Sequence, residues 1–195
     1  MSLAARTQNK EWVIKDRHAK CEELARSLSV SDLVAQILLN RGIEDAQTGS
    51  TFLSPKLNQL IEPEKMPGVC QAAQIIKEAT KADKKITIYG DYDVDGITST
   101  SILLHLINLL GGKADFYIPH RIDEGYGLNS EAIKSIADSG TSLLVTVDCG
   151  ISAIESAKFA KACGLELIIT DHHQIGSELP EAAAIVHSGL DSEYP

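Results

Sequence analysis

The sequence has no long apolar run, no paired cysteines and no basic excess, and each absence narrows its class. Its longest nearly apolar stretch, Ile102 to Leu110, is interrupted by His105 and Asn108, well short of the ~20 residues that span a bilayer. The start lacks the charged-then-apolar pattern of a secretion signal, so a cytoplasmic protein with no membrane association is expected. Cys21, Cys70, Cys149 and Cys163 are scattered without a Cys-x-x-Cys pair, which opposes a zinc knuckle and fits reduced, mostly buried thiols. Internal repeats and low-complexity segments are also missing. With 44% hydrophobic and 23% charged residues, the chain is neither disordered nor collagenous. Its 195 residues hold one domain, or one plus an appendage, with a sizeable core.

A duplex-binding face should be basic, yet the formal net charge is −9. The excess is confined to one half. Residues 1–83 carry 11 Lys and Arg against 11 Asp and Glu, whereas residues 84–195 carry 7 against 16. Acidity for solubility would account for such a balance, so the positions of the acids matter more than their number.

Residues 84–195 alternate between short apolar runs and helical patterns. Ile86-Thr87-Ile88-Tyr89 predicts a strand, followed by a helix in which Leu103, Leu104, Ile107 and Leu110 share a face, ended by Gly111-Gly112. Further strands are predicted at Phe116–Ile118, Leu143–Val147, Leu165–Ile169 and Ala182–Val186. Helices fall between them, one capped by Asn129 and stopped at Gly140, another over Ile151–Cys163. Continuous apolar strands about one βαβ unit apart predict an α/β fold: a parallel sheet of about five strands with helices on both faces. Residues 1–83 read as a mainly helical N-terminal segment, with helices over Asp16–Leu28, Ser31–Arg41 and Gly68–Lys81. The chain around Phe52–Pro55 and Glu62-Pro63 reads as irregular, and Lys81–Lys85 marks the junction with the α/β domain, 84–195.

Ligands of parallel sheets bind at the carboxyl ends of the strands. The first predicted strand runs into Gly90-Asp91-Tyr92-Asp93-Val94-Asp95-Gly96, the third into Asp148-Cys149-Gly150, and the fourth into Asp171-His172-His173. Three strands thus deliver five aspartates and two histidines to one edge. Crowded like charges are unfavourable unless a cation compensates them. Mixed carboxylate and imidazole ligands suit divalent Mn, Mg or Zn, and so rich a cluster fits a two-metal site for phosphoryl-ester hydrolysis.

Each piece also has a plainer reading. Asp-Tyr-Asp-Val-Asp-Gly resembles the opening of a calcium loop, but position 12 is Ile102 rather than Glu and a strand precedes it. Asp93-Val94-Asp95 after a strand resembles an aspartyl-phosphate phosphatase, but Gly96-Ile97 follows where that pattern has other residues. Asp148 before Gly-containing sequence can merely shape a turn, and His172-His173 can be a surface doublet. Thr98 and Ser99 open a helix where amides and hydroxyls can hold a phosphate or simply cap the chain. Arg121, in a loop on the same edge, can grip a phosphate in bidentate fashion or sit in solvent. His18, His105, His120 and His187 read as structural or solvated, and Cys149 as a small packed residue.

The series Tyr89-Gly-Asp-Tyr-Asp-Val-Asp-Gly-Ile-Thr98, then Val147-Asp148-Cys149-Gly150, then Asp171-His172-His173 resembles the first three motifs of the DHH phosphoesterase superfamily. Within it, the chain is similar to the RecJ branch of single-stranded-DNA exonucleases. Leu38-Leu39-Asn40-Arg41-Gly42, Phe52-Leu53-Ser54-Pro55, Pro63 and Met66 extend the likeness back to Trp12. Other branches, the oligoribonuclease and cyclic-dinucleotide phosphodiesterases among them, favour His four residues before the first metal-binding Asp, where this chain has Tyr89. The resemblance implies Asp93, Asp95, Asp148 and His172 as metal ligands, His173 facing metal and scissile phosphate, and Asp91 and Asp171 as supporting acids. It implies Mn2+ or Mg2+, two ions in the complete enzyme, and 5′ to 3′ hydrolysis of single-stranded DNA to mononucleotides in repair and recombination. Single-strand-binding protein or a helicase are the partners it implies. A catalytically inactive metal- or nucleic-acid-binding module is the alternative outside the enzyme class. The superfamily's fourth motif places another Asp several dozen residues after Asp-His-His, but Pro195 is 22 residues beyond His173 and Asp191 lies too near to substitute. A truncated N-terminal portion with low activity is therefore expected. Val186-His187-Ser188 also departs from the Val-Asn-Pro common in that branch.

Overall fold

The computed structural model describes residues 13–191 and residue 194, so Trp12, where the resemblance begins, lies outside them. In the first of two compact units, ending at Leu60, helix α1 spans Cys21–Leu28, α2 Asp32–Asn40 and α3 Ala46–Leu53. Cys21, Leu24, Ala35, Leu38 and Leu39 form a core between α1 and α2. α2 begins as predicted, with the Ser31 hydroxyl accepting from the Val34 amide. α1 starts five residues later than the pattern predicts. Its approach is tied to α2 instead: the His18 amide donates to the Gln36 side chain, and Arg17 pairs with Asp32. α3 runs through Phe52-Leu53, where irregular chain was expected. Its Asp45 cap accepts from the Thr48 amide, and Gly49, poor for a helix alone, lets the helix approach Leu28, whose Cδ1 would lie 2.7 Å from a Cβ there.

The second unit runs from Ile61 and contains α4 (Val69–Lys81), β1 (Lys85–Gly90), α5 (Val94–Leu109), β2 (Lys113–Tyr117), α6 (Ser130–Asp138), β3 (Leu143–Val147), α7 (Ile154–Ala162), β4 (Glu166–Thr170) and β5 (Ala184–Val186). α4 thus belongs with the sheet, and the charge boundary at residues 83/84 falls inside this unit. The strands form one sheet in the order β2-β1-β3-β4-β5, every neighbouring pair parallel.

Alternation along the strands explains why both faces are covered. Ile86, Ile88, Leu143, Val145 and Ile168 pack with α4 and α5 residues such as Ala72, Ala79 and Ile107. Tyr89, Leu144, Leu167 and Ile169 pack with α6 and α7 residues such as Ile133, Ile136 and Ala160. β2 starts at Lys113 rather than Phe116 and ends before Ile118. As an edge strand it tolerates the polar residues that hid its start from an apolar pattern. No helix among the described residues is long and apolar enough to cross a membrane.

The exit of β1 is so tight that it specifies glycine. A Cβ on Gly96 would lie 2.4 Å from the Asp91 carbonyl oxygen and 2.6 Å from its amide nitrogen. Backbone cannot yield as a side-chain tip can. Gly96→Ala is expected to destabilise the fold by about 1–3 kcal/mol, read as a lower urea midpoint with an unchanged slope.

Candidate active site

In this strand order the chain leaves β1 outward to β2, then returns past β1 to β3. Loops after β1 and β3 therefore diverge and open a crevice at the carboxyl edge, where doubly wound sheets bind ligands. The side chains that crowd this crevice come from the three strand ends named from sequence.

Asp93 caps α5, its Oδ1 accepting from the Asp95 and Gly96 amides at 2.9 and 3.0 Å. Asp91 lies beneath and is only 3% exposed. Asp148, at the end of β3, adopts φ 63°, a left-handed conformation uncommon for a non-glycine residue and characteristic of strained functional positions. Its amide donates to the Thr170 carbonyl, which fastens it to β4. One carboxylate oxygen each from Asp91, Asp93 and Asp148 falls within 4.8 Å of the others, and so does one ligand atom each from Asp148, His172 and His173. Asp148 belongs to both groups.

The second crossing is built around Asp171, whose side chain is 1% exposed. Its Oδ2 accepts from the Ile151 amide at 2.9 Å. Its Oδ1 accepts from the His172 and His173 amides at 2.7 and 3.1 Å and lies 2.7 Å from His173 Nδ1. With its oxygens so engaged, Asp171 is a brace, while His172 reaches Asp148 Oδ1 through Nε2 at 2.9 Å. The Ile151 contact also explains why α7 starts at Ile154 rather than Ile151: the chain first turns back to Asp171 through Gly150 at φ 112°.

The charges respond accordingly. Burial pushes the Asp171 carboxyl up, but donors from Ile151, His173 and His172 outweigh it and hold its pKa below the ordinary value. The bond to Asp171 raises the His173 pKa. Burial, then the neighbouring Asp93 charge, raises Asp148, whereas the Gly96 amide lowers Asp93.

A metal fits this arrangement on a structural ground. Asp91 Oδ1 and Asp148 Oδ2 are buried without a hydrogen-bond partner, a costly state for carboxylate oxygens. Their side chains converge with Asp93 and an imidazole, a donor set suited to Mn2+ or Mg2+. Asp95 belongs to neither group of three; it lines a cavity of ≈ 400 Å³ with Ser99, Asp148, Asp171, His172 and Ser188.

The remaining predicted residues divide. Ser99 faces that cavity, but the Thr98 hydroxyl donates back to the Val94 carbonyl of its own helix. Arg121 lies over the Tyr92 ring, 5.1 Å from its centroid. Its loop is anchored by Tyr89, whose hydroxyl donates to the Gly127 carbonyl, and by Glu124, which accepts from the His120 amide and the Asn129 side chain. Two neighbours of the site were not assigned to it from sequence. Tyr126 places its hydroxyl 3.2 Å from His173 Nδ1, and His187 lies 2.8 Å from the His173 carbonyl oxygen. The strand-end rule applied to β5 points to His187; no comparable signal marks Tyr126.

Asp171 is ionised in the fold and its pKa is depressed, so its contribution is present above the ordinary carboxylate range and is lost as pH falls through the native value. Asp171→Asn should destabilise the protein by about 2 kcal/mol at neutral pH through loss of charge-assisted hydrogen bonds. In urea titrations the difference from the unsubstituted protein should be full above about pH 5 and shrink in more acid solution.

Residues 85–192, more than half the chain, match the DHH family, N-terminal domain. The chain is 48% identical over 168 residues to the single-stranded-DNA-specific exonuclease RecJ of Bacillus subtilis (strain 168), covering 86% of this chain and 21% of that protein. It is 34% identical over 172 residues to RecJ of Thermus thermophilus, covering 88% and 24%. Among solved structures it is similar to exonuclease RecJ bound to manganese, with a TM-score of 0.65 and 34% identity over 70% of this chain and 35% of that one. The structure of Thermus thermophilus RecJ in complex with Mn2+ gives a TM-score of 0.63 at 28% identity, covering 90% and 24%. The chain thus spans about a fifth to a third of the length of these relatives. The matched region starts at β1 and includes every strand end that supplies the crevice: the chain belongs to the DHH family.

Proposed function

We propose that this chain carries the site of a metal-dependent phosphodiesterase acting as a 5′ to 3′ exonuclease on single-stranded DNA. The observation that carries the metal dependence is the pair of buried, unpartnered carboxylate oxygens on Asp91 and Asp148, converging with Asp93 and His172. The substrate class rests on likeness to proteins described as single-stranded-DNA-specific exonucleases. Tyr89 supports this branch over the dinucleotide phosphodiesterases, because its hydroxyl is committed to the Gly127 carbonyl instead of facing the crevice.

Asp91, Asp93, Asp148 and His172 would hold Mn2+ or Mg2+, with Asp95 at the cavity wall completing the set for two ions. Bound there, the cations supply Lewis acidity that activates water and neutralises charge developing on the phosphate. Asp171 holds His173 Nδ1 and raises the basicity of the ring, which leaves Nε2 available to the phosphate or its metal. Asp171 thereby orients the imidazole rather than binding metal. Arg121, steadied over Tyr92, meets the strand's phosphates from the rim, and Ser99 lines the same approach.

Asp93→Ala and Asp148→Ala should each reduce manganese-dependent release of mononucleotides from 5′-phosphorylated single-stranded DNA by about 100-fold or more, beyond the range for outer-shell changes. Chelation should do the same. Activity that survived both substitutions would sink the metal assignment, and faster cleavage of dinucleotides than of single strands would favour the other branch.

A further inference from the structure

β5 ends at Val186, and the next residue is a buried histidine, 5% exposed. The Gly189 amide donates to His187 Nδ1 at 2.9 Å. A nitrogen that accepts carries no proton, so in the neutral ring the hydrogen lies on Nε2. Nε2 is 2.8 Å from the His173 carbonyl oxygen and therefore donates to it. Both ring nitrogens are committed to backbone. The ring is also clamped: a Cβ on Gly189 would lie 3.1 Å from His187 Cε1 and 3.1 Å from Ile175 Cδ1.

This places the His172-His173 segment between two braces. Asp171 holds its amides and the His173 ring from one side. From the other, His187 holds the carbonyl that follows the His173 side chain, and it does so from a neighbouring strand whose Val186 carbonyl accepts from the Asp171 amide. Without the second brace, that carbonyl loses its partner and the segment can rotate about the Asp171 contacts. Such rotation would carry both imidazoles away from Asp148.

Resting on the metal-dependent reading above, we propose that His187 is a positioning residue of the site, one that fixes the His172-His173 pair in ligand geometry through its Nε2–H bond to the His173 carbonyl. A histidine that merely fills space would be replaceable by an apolar side chain of similar size. A positioning histidine would be replaceable by a side chain that retains the donor. Gln qualifies, since its amide nitrogen can reach the place of Nε2, whereas Leu and Met offer no donor.

The test is Mn2+ affinity of the 195-residue chain, read by the electron paramagnetic resonance of free manganese, with a metal-free thermal melt beside it. His187→Leu should weaken Mn2+ binding about 10-fold or more, the range for residues that orient metal ligands, while His187→Gln stays within about 3-fold of the unsubstituted chain. Should the Leu variant fail to fold, His187→Met, whose flexible side chain refills the gap, takes its place with the same expectation. Apolar variants that bind Mn2+ as tightly as the unsubstituted chain, or a folded Gln variant as weak as they are, would overturn the role of His187 alone. An unsubstituted chain that binds no Mn2+ would overturn the metal reading as well.

Discussion

A single buried carboxylate organises the carboxyl edge of this sheet. Asp171 accepts from the turn that follows β3, through Ile151, and from its own successors, His172 and His173. Burial alone would favour its neutral form, but a neutral acid could not satisfy four N–H donors; the donors win and the group stays charged. Three consequences follow from that one ion. α7 starts late because the chain must first reach Asp171. His173 is fixed in orientation and made more basic. Asp148, held to Thr170 across the same pair of strands, is left to share its carboxylate between the aspartates after β1 and the histidines after β4.

The strain at Asp148 belongs to the same design. A left-handed backbone at a non-glycine residue persists only where its surroundings over-determine it. Here the amide is tied to β4, Oδ1 meets His172, and Gly150 turns the chain sharply two residues later. The carboxylate is thereby projected into the crevice rather than along the strand, where it would lie among apolar side chains.

Much of this was legible in the sequence because parallel strands in a doubly wound sheet are continuous apolar runs whose ends are punctuated by polar residues. Leu143–Val147 matches its strand residue for residue, and the three strand ends could be grouped before any geometry was known. What escaped has a common cause: tertiary contacts overrode local pattern. Phe52 and Leu53 read as irregular, yet they close α3, whose Gly49 packs closely on Leu28. Residues 16–20 look helical but bond to α2. His187 read as structural or solvated, because the tautomer that gives it meaning is set by Gly189 and His173.

The acidity of residues 84–195 now has a local explanation. Five of its 16 acids stand at three adjacent strand ends, and the chain divides the resulting repulsion unevenly. Asp171 is neutralised in effect by donors, and Asp93 by the amides at the start of α5, where the helix end itself favours an anion. Asp91 and Asp148 receive no such relief on their buried oxygens. A protein that needed those two acids only for solubility would leave them at the surface, where hydration costs nothing. With Asp91 Oδ1 and Asp148 Oδ2 buried and unpartnered beside a third carboxylate, a cation would relieve the repulsion, and on the proposed function it is that cation, rather than a basic surface, which brings a polyanionic strand to an acidic edge.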